Sequence, residues 1–178
     1  MWEKGPFLLT CPVRKRSNTI AMTQSLEGGC ACGTVRYRLA SAPMFVNCCH
    51  CTWCQRETGG AFVINAIVET SRVEVTKGET LAVPTASESG TPQIIHRCPT
   101  CHVALWSHYG GRSRSAFVRA GTLDKPNPIQ PDAHIFTRSK LPWVKLEGGA
   151  PVFEIYYEME TLWPAESLAR RAAALAAT

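Results

Sequence analysis

The residues of this chain best suited to chemistry lie in Cys48-Cys49-His50-Cys51-Thr52-Trp53-Cys54, which holds four of its nine cysteines and one of its five histidines. A C-x-C pair, Cys49 and Cys51, overlaps there with a C-x-x-C pair, Cys51 and Cys54. A knuckle-like turn of that spacing aims three sulfurs into one hollow, where the thiolates would hold a single ion. A structural zinc site takes four protein ligands, whereas a catalytic one keeps three and leaves a position open. Two more pairs, Cys30-x-Cys32 and Cys98-x-x-Cys101, also have ligand spacing. Together they supply the four thiolates of a closed structural site, a staple on which folding would depend. The alternative for these four is buried structural thiols, since free cysteine is a common interior residue. With them assigned, Cys49, Cys51 and Cys54 have no fourth cysteine and remain a three-thiolate zinc site with one position open. Such a site would bind water, a substrate thiolate or an aldehyde oxygen.

The remaining candidates follow from orientation. Cys48 is adjacent to Cys49, so in an extended segment its side chain points to the other face and reads as core. His50 lies between two ligands and faces away by the same rule, although histidine is a common metal ligand. His96, His102, His108 and His134 are scattered and read as ordinary hydrogen-bonded or surface histidines. Polar candidates near the triple are Gln55, Arg56 and Asn65; Arg56 would balance an anionic site or hold a substrate carboxylate, or else be a solvated surface residue.

These side chains need short extended elements to position them. Thr34–Leu39 alternates apolar Val35, Tyr37 and Leu39 with polar neighbours, the mark of a strand with one buried face. A turn at Glu27-Gly28-Gly29 delivers Cys30, and Met44–Asn47 is an extended approach to the triple. A helical turn over Trp53–Thr58 ends at Gly59-Gly60. Ala61–Val68 reads as a buried strand. Val73–Thr76 and Leu81–Val83 read as a hairpin about Lys77-Gly78-Glu79-Thr80. Gln93–Arg97, Val103–Trp106, Ser115–Ala120 and Ala133–Thr137 add further strands, Pro84–Pro92 and the three-proline stretch Asp124–Pro131 are loops, and Leu141–Leu146 is irregular. Pro164–Ala177 is a helix with Pro164 in its first turn and Leu168, Ala172 and Leu175 on one face. The fold class is mainly β with a short C-terminal helix.

Composition narrows the function classes. An apolar share of 45% and a charged share of 19% fit a globular protein of one domain, and no apolar run has the length to cross a bilayer. Of the net charge of +5, a net +3 lies before Thr23, and seven thiolates with two zinc ions would bring the remainder to −1. That argues against a nucleic-acid surface, with only Arg14–Arg16 and Arg112–Arg119 hinting at one. Clustered cysteines, odd in number, point to metal in a reducing, cytoplasmic setting rather than to disulfides. In the first residues the apolar patch precedes Arg14-Lys15-Arg16, the wrong order for a secretory signal. Residues 1–22 therefore read as a disordered extension carrying a free thiol at Cys11, with Met22 as a candidate start. Residues 23–163 read as the zinc-binding domain and 164–178 as the terminal helix.

Gly29-Cys30-Ala31-Cys32-Gly33-Thr34-Val35-Arg36-Tyr37, Cys49-His50-Cys51-Thr52-Trp53-Cys54-Gln55-Arg56 and Cys98-Pro99-Thr100-Cys101 together resemble the glutathione-dependent formaldehyde-activating enzyme family, the CENP-V/GFA domain with the Mss4-like fold. Gly121-Thr122-Leu123-Asp124 and His134-Ile135-Phe136 through Trp143 fit the same pattern. The resemblance implies two zinc ions per chain, a structural one on Cys30, Cys32, Cys98 and Cys101 and a catalytic one on Cys49, Cys51 and Cys54. It also implies a carbon–sulfur lyase-type reaction in which a small-molecule thiol, glutathione in the namesake case, adds to formaldehyde. The spacing reaches the same partition of cysteines independently. One departure is His102, which stands where the family has glycine; it is either a turn variant or a side chain placed beside a metal knuckle. The competing reading is a zinc-stabilised binding module without catalysis, with a fully ligated second site or an exposed apolar patch. A redox role for Cys51-Thr52-Trp53-Cys54 lacks the strand-then-long-helix setting of thioredoxin-like motifs.

Overall fold

The computed structural model describes residues 26–146 and 148–177, so the expectations for residues 1–22, Cys11 and Met22 fall outside the described part. The protein is mainly β. A three-stranded sheet holds β1 (Leu26–Gly29), β2 (Arg36–Leu39) and β5 (Val73–Lys77) in the order β1-β2-β5. A seven-stranded sheet holds β3 (Phe45–Cys49), β4 (Val63–Glu69), β6 (Leu81–Thr85), β7 (Gln93–Arg97), β8 (Ala104–Tyr109), β9 (Ser115–Arg119) and β10 (Ala133–Ile135). Its order is β10-β3-β4-β9-β8-β7-β6, antiparallel throughout except for the parallel pair β10 and β3.

The alternation in β2 has the expected cause. Val35, Tyr37 and Leu39 pack with Ala66, Val68, Leu105 and Val118 of the large sheet, and all of these are at most 1% exposed. Burial of such side chains contributes about 25 cal/mol per Å² of apolar surface, so this shared cluster is the main force joining the two sheets. Gly28 is needed where β1 crosses β2, since a Cβ there would stand 2.6 Å from the Tyr37 ring and from the Thr122 carbonyl oxygen.

Three expectations are corrected. Glu27–Gly29 is not a turn but part of β1, which pairs antiparallel with β2 from Leu26↔Leu39 to Gly29↔Arg36. The Val73–Val83 region is not a hairpin: β5 pairs with β2 while β6 pairs with β7, so the chain crosses between sheets at Gly78. Local turn chemistry does not reveal which neighbours a strand finds, and here long-range burial decides. The C-terminal helix α3 (Ala165–Ala176) does form, but Ala172 and Leu175 face solvent and only Leu168 of the expected stripe packs against the core. Polar groups dock the helix instead. Ser167 Oγ donates to the Met44 carbonyl at 2.6 Å, and Arg170 donates to both Glu69 oxygens at 2.9 and 2.7 Å, to Ser41 Oγ at 2.9 Å and to the Ala42 carbonyl at 3.1 Å. Arg170 thus ties the helix to Glu69 at the end of β4.

Candidate metal centres

The four-cysteine cluster joins the two sheets. Cys30 and Cys32 follow β1 and Cys98 and Cys101 follow β7, and one sulfur from each lies within 4.8 Å of the others. Each pair sits in a turn that turns backbone N–H groups toward sulfur. Val35 N–H donates to Cys30 Sγ at 3.2 Å, and Thr100 and Cys101 N–H point to Cys98 Sγ at 3.4 and 3.5 Å. Burial opposes ionisation of Cys30, yet the Val35 N–H holds it below its ordinary value. The Thr34 hydroxyl and backbone bring Cys32 down to about 6. A tetrahedral zinc with bonds of about 2.3 Å keeps its sulfurs about 3.8 Å apart. Cys30–Cys32 and Cys32–Cys98 are separated by 3.5 and 3.7 Å, so the residues fit that ion. The second knuckle closes through His102, whose N–H donates to the Cys98 carbonyl at 3.0 Å and whose φ is 59°. Its side chain is exposed and, among the described residues, belongs to none of the clusters of metal-ligating side chains, as in the turn-variant reading.

Cys49, Cys51 and Cys54 form the second cluster, again within 4.8 Å and at most 6% exposed. Cys49 ends β3, where it pairs with Val63 of β4 on one side and Ile135 of β10 on the other. Cys51 is the N-cap of α1 (Thr52–Thr58), its sulfur accepting the Cys54 N–H at 3.3 Å, the usual role of a capping side chain. Gly59, at φ 63°, ends the helix after two turns, and Glu57 pairs with Arg97 of β7 to fix its direction. Hydrogen bonds with Cys49 and Cys54 pull Cys51 down to about 3, while hydrogen bonds with Cys51 and Cys54 push Cys49 well above the ordinary thiol value. Cys54 is lowered by Cys49 but raised more by Cys51 and burial, to about 12. Among the three sulfurs, Cys51 is the one its surroundings favour as thiolate. Three soft donors converging without a counter-carboxylate fit a thiophilic ion.

The expected polar candidates separate. Arg56 lies exposed on α1. Gln55 is occupied as a strut, its Nε2 donating to the His50 carbonyl at 2.7 Å and to the Ser139 carbonyl at 2.8 Å. Asn65, 4% exposed, faces the cluster side of β4 and accepts from Arg119 Nη1. In the sequence Arg119 stands out only as the end of the basic stretch Arg112–Arg119, not as a site residue. It ends β9 opposite Asn65, is 5% exposed, and donates through Nη2 to Ser107 Oγ at 2.8 Å. Its charge lowers Cys54, and among the described residues no carboxylate pairs with it. The buried cation of the site is thus Arg119, and the only available signal was an arginine in an otherwise apolar strand.

The apolar wall beside the cysteines also comes from afar. Phe45 stacks on Trp163 at 5.1 Å, Trp163 Nε1 donates to Tyr157 Oη at 3.0 Å, and Tyr157 donates to Asn47 Oδ1 at 2.9 Å. All four are at most 7% exposed, and the three aromatic residues cluster with the cysteines.

His50 faces away from Cys49, Cys51 and Cys54, and it meets the hydrogen-bonded His134. His50 is fully buried with its Nε2 3.1 Å from His134 Nδ1 and 3.5 Å from Cys48 Sγ. Burial, then the neighbouring His134 and Lys140, bring His50 down to about 4, and burial lowers His134. His96 stacks on Trp106 at 5.0 Å and His108 bonds the Ser115 carbonyl at 3.0 Å, as ordinary interior contacts.

Residues 25–139 match the family model described as glutathione-dependent formaldehyde-activating enzyme. A protein of Halomonas elongata carrying that name provisionally is 31% identical over 128 residues, covering 69% of this chain and 82% of the relative. A crystal structure of a Rhodobacter sphaeroides protein aligns with a TM-score of 0.44 at 20% identity, covering 59% of this chain and 91% of that one.

Proposed function

For a chain that belongs to the glutathione-dependent formaldehyde-activating enzyme family, we propose a zinc-dependent carbon–sulfur lyase-type activity that joins a thiol, glutathione or a similar one, to formaldehyde or another small aldehyde. The observation that carries the reading is the separation of seven cysteines into a four-sulfur cluster and a buried three-sulfur cluster. Cys30, Cys32, Cys98 and Cys101 would hold a structural zinc, and Cys49, Cys51 and Cys54 a second one. When bound there, zinc supplies an open position at which a thiol gives up its proton at neutral pH.

In the reaction the C–S bond forms as the carbonyl π pair moves to oxygen, which takes a proton and becomes the hydroxyl of the adduct. The chain's own residues prepare for sulfur attack rather than carbonyl polarisation. Three thiolates around a divalent ion leave a net −1, which favours a nucleophilic bound sulfur over Lewis acidity. Arg119 holds that negative charge in a buried place, while Asn65 and Ser107 fix its guanidinium. Phe45, Tyr157 and Trp163 keep water from the sulfurs. Gln55 locks the Cys51–Cys54 turn against Ser139.

A second reading, a zinc-stabilised binding module, draws on exposed apolar side chains, above all Trp143 at 71% exposure. The deciding experiment is NMR exchange spectroscopy of thiol–formaldehyde adduct formation over a panel of thiols, with wild type and Cys51→Ser. The enzyme reading expects acceleration over the spontaneous rate by wild type, lost in Cys51→Ser with the fold retained. Full acceleration by the variant, or none by wild type with any thiol, would reject it.

A further inference from the structure

We propose that Cys48, His50 and His134 form a third metal site, for a borderline divalent cation of the zinc class, on the face of β3 opposite the three-cysteine cluster. Alternation along an extended chain sends Cys48 and His50 to one side and Cys49 and Cys51 to the other. The parallel pairing of β10 with β3 then sets His134 directly across from Cys48. Their three ligand atoms lie within 4.8 Å of one another, and the residues are 2%, 0% and 8% exposed.

Tetrahedral coordination at ordinary zinc distances puts two nitrogens about 3.3 Å apart and a nitrogen and sulfur about 3.5 Å apart. The observed separations are 3.1 Å for His50 Nε2 to His134 Nδ1 and 3.5 Å for Cys48 Sγ to His50 Nε2. Without an ion, the single proton or lone pair of His50 Nε2 is shared between two hydrogen bonds, one with His134 Nδ1 and one with Cys48 Sγ. An ion instead takes one lone pair from each of the three donors, and among the described residues the buried Nδ1 of His50 has no hydrogen-bond partner.

The three donors also open onto space. A cavity of about 470 Å³ is lined by Cys48, His50 and His134 together with Phe62, Gln130 and Lys145. Three protein ligands facing a cavity are the layout of a site that keeps one exchangeable position, for water or a small anion drawn by Lys145. Charge favours the arrangement too. One thiolate and two neutral imidazoles around a divalent ion give a net +1, opposite in sign to the net −1 of a loaded three-cysteine site behind the same strand, so the two would attract.

The test is cobalt titration of the metal-free full chain, followed by native mass spectrometry and by the thiolate-to-cobalt charge-transfer band. His134 is the residue to change, because it stands on β10 and touches neither sulfur cluster. The expected result is that His134→Ala binds one equivalent fewer than wild type, with most of the charge-transfer intensity retained. Cys48→Ala should lose the same equivalent, and it serves as the deciding variant if His134→Ala does not fold. Equal stoichiometry in wild type and both folded variants would overturn the third site and leave a histidine hydrogen bond. Because the score is a difference between variants, it stands apart from the Cys51→Ser assay: the third site and the lyase reading can fail separately.

Discussion

Replacing Arg119 by methionine removes a buried cation whose charge reaches the three-cysteine cluster, while nearly conserving volume. In the loaded state the site would carry −1, and Arg119 supplies +1 from a position only 5% exposed, where water screens little. The sign is therefore fixed: without Arg119 the loaded state loses stabilisation and the neutral thiol state gains relative to it. Partners behind a metal's ligands are worth about 10–100-fold in affinity, or about 1.4–2.7 kcal/mol. The same change leaves Asn65 Oδ1 and Ser107 Oγ without their donor, at about 1–3 kcal/mol each. It also relieves the chain of burying an unpaired guanidinium, so net stability moves less than metal affinity. Arg119→Lys separates charge from fork geometry, since it keeps the first and loses the two-armed bonding. The assay is zinc competition against a chromophoric chelator at fixed pH, with thermal unfolding in parallel. The expected order of affinity is wild type, then lysine within a few-fold, then methionine lower by about 10–100-fold. Unchanged affinity in Arg119→Met would refute the counter-charge argument. A lysine variant as weak as methionine would show that hydrogen bonding, not charge, is what matters.

The four-cysteine cluster predicts a different phenotype. Cys98→Ser should cost more than about 4 kcal/mol, the range reserved for lost metals or disulfides, and a strong chelator should lower the melting of wild type by more than that of the variant, which keeps only the sites outside this cluster. Arg170→Ala strands Glu69, which is 5% exposed and keeps only Arg72 at 3.5 Å, so a loss of about 3 kcal/mol is expected in denaturant midpoints. Burial alone would raise the Glu69 carboxyl, but Arg170 more than offsets this and holds it below 4.5. A depressed carboxyl contributes stability that is complete above its unfolded value and lost as pH falls through the folded one. Acid titration should thus destabilise wild type below about pH 4.5 more steeply than Arg170→Ala. His102→Gly should raise stability by about 0.5–1 kcal/mol, the relief of a left-handed residue exceeding the added freedom of the unfolded chain, as read by thermal unfolding.

The sequence by itself determined the donors. Cysteine spacing is a local property, and a C-x-C or C-x-x-C turn sets its sulfurs within reach of one ion whatever the rest of the chain does. Alternation in β2 and the apolar run of β4 were legible for the same reason, since side-chain direction in a strand follows from covalent geometry. Orientation along β3 likewise separated Cys48 and His50 from Cys49 and Cys51. Tertiary structure decided which distant groups meet them. The parallel pairing of β10 with β3 brings His134 to Cys48, the β4–β9 register places Arg119 against Asn65, and α3 reaches Glu69 through Arg170. Register and sheet order arise from burial summed over many residues, and no short window of sequence contains that sum. The same limit explains the β5–β6 hairpin that did not form. Its turn residues were favourable, but each strand gained more by pairing elsewhere, β5 against β2 and β6 against β7.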